Sequence, residues 1–340
     1  MEELPAVEAV PHSCAFKRVS VAGFDAIQLV NRWLSLTVVP EIGGKIVSIK
    51  HLLSQREWLA SNGRLNLRKP KYGGSFVADY DTGGFDECFP SIAPIAYPED
   101  PWQNHPIPDH GELWCQPWVI LEASEAPDRL VLSMACHGVQ LPYRFERRLV
   151  MTAASSVVYF EYQVTNLSSS PMPFVWSMHP IFQIEAGMRL ILPDIVKSVR
   201  IDGSTNEFLG GTNSLCPWPL ATDTNQCEID LSQVPSADFG QAVKFYTLPL
   251  TGADKVETAI YDPNYNRAIG FRFRCNEVSH IGVWMNYGGW SGSGSAAHYN
   301  LGLEPCIGGA DSLINARRLN QFAILNPYQK RKLSVEMFVC

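Results

Sequence analysis

Val158-Tyr159-Phe160-Glu161-Tyr162-Gln163-Val164-Thr165 repeats every second residue. Val158, Phe160, Tyr162 and Val164 fall on one side of an extended chain, with Tyr159, Glu161, Gln163 and Thr165 on the other. That period marks a strand with one buried and one wet face, because helical apolar residues recur about every 3.6 positions. The same alternation returns upstream, where Leu34, Leu36 and Val38 enclose Ser35 and Thr37, and Phe145, Arg147 and Leu149 interleave with Arg144, Glu146 and Arg148. Downstream, Ile269, Phe271, Phe273 and Cys275 interleave with Arg272 and Arg274, and Leu333, Val335, Met337 and Val339 with Ser334, Glu336 and Phe338. Turn residues punctuate these runs at Val39-Pro40-Glu41-Ile42-Gly43-Gly44, Asn166-Leu167-Ser168-Ser169-Ser170-Pro171 and Asp262-Pro263-Asn264-Tyr265-Asn266. Long amphipathic helices are missing, and 312–325 has room for a short one only. The pattern predicts an all-β chain, a large antiparallel β-sandwich with few short helices.

A length of 340 residues suits about two domains, yet large sandwiches reach that size as one unit. No boundary shows in the composition, so 1–340 is read as a single domain, with residues 1–30 as an N-terminal extension or edge strands. The stretch 61–117, rich in Gly, Pro and aromatic residues, is too long for a plain connector; loops of that length usually carry function. A second such loop spans 286–300, where small residues let a ligand approach the backbone. The net charge of -7 argues against a nucleic-acid partner, which would need a basic surface. Arg68-Lys69-Pro70-Lys71 is too short a basic run to change that. No stretch approaches the ~18 apolar residues of a membrane helix, and Met1 to Val10 lacks the basic start and apolar run of an export signal. Nine scattered cysteines without a Cys-x-x-Cys pair fit a reducing, cytoplasmic setting better than a disulfide framework or a zinc finger.

Three residues stand out for chemistry. Glu304 lies in the apolar run Leu303-Glu304-Pro305-Cys306, where an unpaired carboxylate is costly. It is either paired structurally or kept as a base with a raised pKa. His179, in Trp176-Ser177-Met178-His179-Pro180, is either a satisfied core histidine or a proton carrier. His110, in Pro108-Asp109-His110-Gly111-Glu112-Leu113-Trp114, either stabilises a turn or joins the other two. His110-Gly111-Glu112 has a spacing that a metal site could use with His179 and Glu304. The tight His-x-His followed by Glu of a barrel metal site is absent, so no metal and no other cofactor is expected. No Gly-x-Ser-x-Gly elbow supports a serine hydrolase. Paired-carboxylate glycoside hydrolysis would need a second acid, for which Asp86 and Glu87 are candidates.

Four motifs in order, Gly83-Gly84-Phe85-Asp86-Glu87-Cys88-Phe89-Pro90, His110-Gly111-Glu112-Leu113-Trp114, Trp176-Ser177-Met178-His179-Pro180-Ile181-Phe182 and Leu303-Glu304-Pro305, resemble the aldose 1-epimerase (galactose mutarotase) superfamily. Val38-Val39-Pro40-Glu41-Ile42-Gly43-Gly44-Lys45-Ile46 is similar to a strand-turn-strand near that family's start. The resemblance covers the chain from about residue 30 to its end. It implies a many-stranded β-sandwich, in agreement with the period of two. It also implies a small-molecule sugar partner and a proton shuttle that interconverts anomers of a cyclic aldose. In that role Glu304 would take the anomeric proton, a protonated His179 would protonate the ring oxygen, and His110 would hydrogen-bond the ring oxygen or a neighbouring hydroxyl.

The sequence departs from the family at the sugar-binding positions. Thr82 precedes Gly83-Gly84 where the hexose-phosphate branch carries arginine, and the family's substrate-binding aspartate has no match beyond a guess at Asp202. Asp86, Glu87, Trp114, Trp284 and Asn286 are expected to line the pocket instead, since aromatic faces stack on sugar C–H surfaces while carboxylates and amides take hydroxyls; core packing is the other reading of the tryptophans. Two alternatives remain open: a hexose-6-phosphate 1-epimerase, if Arg144 or Lys71 reaches the cavity, and a non-catalytic carbohydrate-binding protein on the same fold.

Overall fold

The computed structural model describes residues 14–63, 65–294 and 296–340. The acidic segment Met1 to Val10 lies outside them. Two large antiparallel sheets dominate. The first has twelve strands and runs from the edge pair Ala15–Val21 and Phe24–Val30 through Leu34–Val39 and Lys45–His51. It continues through Gly84–Cys88, Trp176–Gln183, Tyr299–Ile307, His280–Tyr287 and Gln241–Thr247 to Ser198–Ser204 and Leu215–Pro217, and the twelfth strand, Arg56–Glu57, pairs with Lys45–His51 off this path. The second has eight strands, ordered Arg189–Ile191, Lys255–Asp262, Arg267–Arg274, Lys330–Val339, Val157–Asn166, Tyr143–Thr152, Arg129–His137 and Val119–Ala126. Each alternating run in the sequence is one of these strands. The short helix in 312–325 is Leu313–Arg318.

Aromatic pairs join the sheets face to face: Phe85 meets Phe160 with ring centroids 5.5 Å apart, Tyr162 meets Trp176 at 4.9 Å, and Phe89 meets Phe145 at 5.9 Å. A contiguous apolar cluster runs between them from Cys14 to Val339. The central strands of the larger sheet are buried on both faces, because the irregular stretch 61–117 and the 288–298 loop lie over the outer one. That irregular stretch hides a strand the periodicity did not reveal, Gly84–Cys88, which pairs with Trp176–Gln183 in the middle of the sheet. Burial on both sides removes the polar-apolar alternation that exposes a strand in sequence.

Alternation sorts side chains between the faces with no freedom, since neighbours on a strand point opposite ways. Asp86 lies opposite His179, Gly282 lies opposite Glu304, and Tyr246 lies opposite Gly282, so one row crosses the outer face. The next row carries Gly84, Ile181, Gly302, Trp284 and Lys244. Two glycines make room for Glu304. A Cβ on Gly302 would sit 2.9 Å from Glu304 Oε1 and 3.2 Å from Trp284 Cβ, and one on Gly282 would sit 3.2 Å from Glu304 Oε2. We expect Gly302→Ala to lower stability by about 1–3 kcal/mol through overpacking, read as a shifted urea midpoint at constant m-value. An unchanged midpoint would show that this row has slack.

Candidate functional site

A cavity of about 270 Å³ opens over the outer face of the twelve-stranded sheet. His179, Ile181, Lys244, Trp284 and Asn300 reach it from the sheet, Phe76, Thr82, Asp109 and His110 from the long irregular stretch, and Trp290 and His298 from the 288–298 loop. Asp311 enters just before the short helix. The two imidazoles meet edge to face at 4.8 Å, and His110 stacks on Phe76 at 3.8 Å. His110 holds a backbone φ of 61°, a left-handed conformation that a non-glycine residue adopts at some cost. Its N–H donates to the Ile92 carbonyl at 2.6 Å, which fixes the turn.

Glu304 is 0% exposed and lies beneath this cavity rather than on its wall. Lys244 Nζ donates to its Oε2 at 2.5 Å and lies 3.4 Å from Asp311 Oδ1. Tyr246 O–H donates to the same Asp311 oxygen. Glu304 Oε1 has no hydrogen-bond partner and stands 3.9 Å from His179 Nε2. Burial raises the Glu304 pKa, and the Lys244 ammonium opposes it. Burial also works against the Lys244 charge, but Asp311 and Glu304 outweigh it and hold the ammonium protonated. The result is a buried ion pair with one free carboxylate oxygen turned toward an imidazole.

The histidines have opposite environments. Burial first, then the charges of His110, Lys244 and Lys45, drive the His179 pKa well below the usual value of 6.5, so His179 is neutral. His110 Nδ1 stands 3.0 Å from the Asp109 carboxylate. Burial alone would raise the Asp109 pKa; its hydrogen bond and charge interaction with His110 lower it instead. One imidazole is thus kept neutral by burial and, after that, by neighbouring cations, while the other faces a carboxylate.

His110, His179 and Trp284 share the cavity, with Glu304 behind His179 and Lys244. Asp86 and Trp114 border a smaller adjoining cleft that shares Phe76 with the main one. There Lys45 Nζ binds the Asp86 carboxylate and donates to the Asp81 carbonyl at 3.1 Å. Glu87 is not near either opening. Being one residue from Asp86, it must point inward, where Arg147 (3.2 Å), Tyr162 O–H (2.8 Å) and Trp176 Nε1–H (3.1 Å) satisfy it. Asn286 lies off the cavity wall and holds the following turn, accepting from the Gly289 and Trp290 N–H groups and donating to the Trp290 carbonyl. Glu112 turns away from His110 and accepts from Tyr72 O–H at 2.7 Å and from the Gln140 N–H at 2.7 Å. Among the described residues, no group of three or more His, Cys, Asp or Glu is placed to hold a metal ion. Asp202 is off the wall, its pKa pushed up to about 7 by burial and by Asp311. Neither Arg144, which binds Glu146, nor Lys71 lines the cavity.

Sequence reasoning missed Lys244, Asp311, Asp109, Trp290 and His298. Lys244 did leave a signal: in Ala242-Val243-Lys244-Phe245-Tyr246 a lysine interrupts an apolar strand, and such a lysine needs an anionic partner. Nothing in the sequence names that partner.

The architecture is that of galactose mutarotase-like proteins. The chain superposes on a galactose mutarotase-like protein from Clostridium acetobutylicum with a TM-score of 0.64 at 13% identity, over 96% of this chain and 99% of the other. A galactose mutarotase related enzyme from Lactobacillus acidophilus matches with a TM-score of 0.63 at 15% identity, over 93% and 97%. A galactose mutarotase-like protein from Lactobacillus casei matches at 0.64 and 13%, over 93% and 100%. No protein-family profile matches the sequence, and no curated protein matches it. The likeness is therefore one of fold.

Removing the cation should expose the cost of the buried carboxylate. We expect Lys244→Met to destabilise the protein by about 3–5 kcal/mol and Lys244→Met/Glu304→Gln to recover a substantial part, in urea unfolding of the four members of the cycle. Additive losses would mean that the two side chains do not share one charge balance.

Proposed function

We propose that the cavity binds a cyclic aldose and interconverts its α and β anomers by acid–base ring opening, as an aldose 1-epimerase does. The observation that carries this reading is the pair of imidazoles facing one cavity, His179 buried and neutral and His110 with Nδ1 3.0 Å from the Asp109 carboxylate. A neutral imidazole can accept a proton, and a second imidazole set beside a carboxylate is placed to give one. Trp284 and Trp290, perpendicular at 5.6 Å, give the flat apolar surfaces on which a sugar's C–H faces rest. Asn300, Thr82 and Asp311 supply groups for hydroxyls.

In this proposal neutral His179 takes the proton of the C1 hydroxyl. The C1–O5 bond breaks, and O5 takes a proton from His110. Rotation about C1–C2 turns the aldehyde, O5 attacks its other face, and the two protons return. Nothing is oxidised and no water is consumed. Glu304 acts through His179, its free oxygen stabilising the imidazolium that forms; Asp109, 3.0 Å from His110 Nδ1, faces the imidazole that gives up the other proton. These roles differ from those the resemblance implied, because Lys244 occupies the carboxylate that would otherwise act directly, and burial, with the surrounding cations, keeps His179 neutral.

One observation favours a second reading, a sugar-binding protein without catalysis: Glu304 is tied to Lys244 and lies off the cavity wall. NMR exchange or polarimetry on freshly dissolved α-D-glucose and α-D-galactose separates the two. We expect accelerated anomer exchange, with His179→Asn and His110→Asn each slowing it by roughly 10²–10⁴-fold. Sugar binding with exchange at the buffer rate would instead establish the binding protein.

The pH profile carries a separate expectation. Because the His179 pKa lies well below 6.5, its neutral form persists into acid, and kcat/KM should hold below pH 6.5 before falling. An acid limb centred at an ordinary histidine value would remove His179 as the base.

A further inference from the structure

We propose a second small-molecule site, on the inner face of the twelve-stranded sheet, for a compact apolar alcohol or phenol. It does not depend on the sugar reading. Gln241–Thr247 and His280–Tyr287 show Lys244 and Trp284 to the outer cavity, so alternation turns Gln241, Val243, Met285 and Tyr287 the other way. There they line a separate cavity of about 260 Å³, close to the lower bound of ~300 Å³ for ligand pockets. Phe208, Leu231 and Phe239 close it from the 205–240 region, with Phe239 6.1 Å from Phe208 and 6.4 Å from Tyr287 by ring centroid.

Two polar atoms in this apolar enclosure lack partners. Tyr287 is 4% exposed, yet its O–H donates to nothing, and Gln241 Oε1 accepts from nothing. Gln241 and Tyr287 are directly opposed in the antiparallel ladder, so their side chains stand side by side. A buried donor and acceptor left unsatisfied cost about 1–3 kcal/mol each, and native structures seldom leave two adjacent ones idle. A ligand hydroxyl offers what both lack, a lone pair for Tyr287 and a proton for Gln241. The aromatic walls select a flat apolar body behind that hydroxyl. Glu228 and Asp230, which also line the cavity, disfavour a carboxylate.

The test is ligand-observed NMR titration of the full chain with p-cresol, toluene and benzoate. We expect saturable p-cresol binding, weaker toluene binding and no benzoate binding. Tyr287→Phe and, separately, Gln241→Leu should each weaken p-cresol by up to about tenfold while leaving toluene unchanged. Trp284→Ala, in the outer cavity, should leave p-cresol binding intact. Either of the first two variants suffices if the other fails to fold by circular dichroism. The proposal is overturned if p-cresol does not saturate, which would leave the cavity to water alone. Equal binding of toluene and p-cresol, equal effects of the variants on both, or loss of p-cresol binding in Trp284→Ala would also overturn it.

Discussion

A carboxylate with no exposure, Glu304, sits in the middle of a twelve-stranded sheet, and the surrounding structure is arranged to let it keep a charge there. Gly282 and Gly302 give it space on the neighbouring positions of the sheet. Lys244 supplies the opposing charge, and Asp311, bonded by Tyr246, shares that cation. Burying one charge alone would be prohibitive; burying a chain of alternating charges is tolerable because each is partly neutralised by the next. The arrangement also leaves one oxygen over, and that oxygen faces His179.

Charge sharing of this kind sets the electrostatics of the cavity more than any single residue does. Burial keeps a proton off His179, and the charges of His110, Lys244 and Lys45 add to it. Asp109 stands 3.0 Å from His110 Nδ1, and its own pKa is lowered there. Two identical side chains, 4.8 Å apart, therefore stand in different surroundings. Another buried ion pair, Glu87 with Arg147, lies on the other face between the sheets and has no access to the cavity. Its three partners satisfy the carboxylate fully, which marks it as part of the core rather than of the site.

Much of this was legible in residues taken singly. Arg147 falls on the apolar side of its alternating run, and it is wholly buried. His110, His179 and Glu304 were each conspicuous for a polar group in a constrained or apolar setting. Asp86 and Glu87 could not be told apart, because which of two consecutive residues faces a cavity depends on strand register, and that is set by pairing with Trp176–Gln183. Trp114 and Asn286 were read as wall residues on composition; the first borders a neighbouring cleft and the second pins a turn.

The sequence by itself determined the all-β architecture, since a period of two in side-chain polarity is a local property that each strand carries whatever it pairs with. It also determined that a few charged residues would need partners away from water. Only the tertiary structure decided which partners they took. Lys244 and Glu304 are 60 residues apart and His110 and His179 are 69 apart, and pairing of distant strands follows from the packing of whole sheets. Local sequence holds no record of that packing, so the electrostatics of the site, and with them the neutral state of His179, emerge only once the sheets have closed.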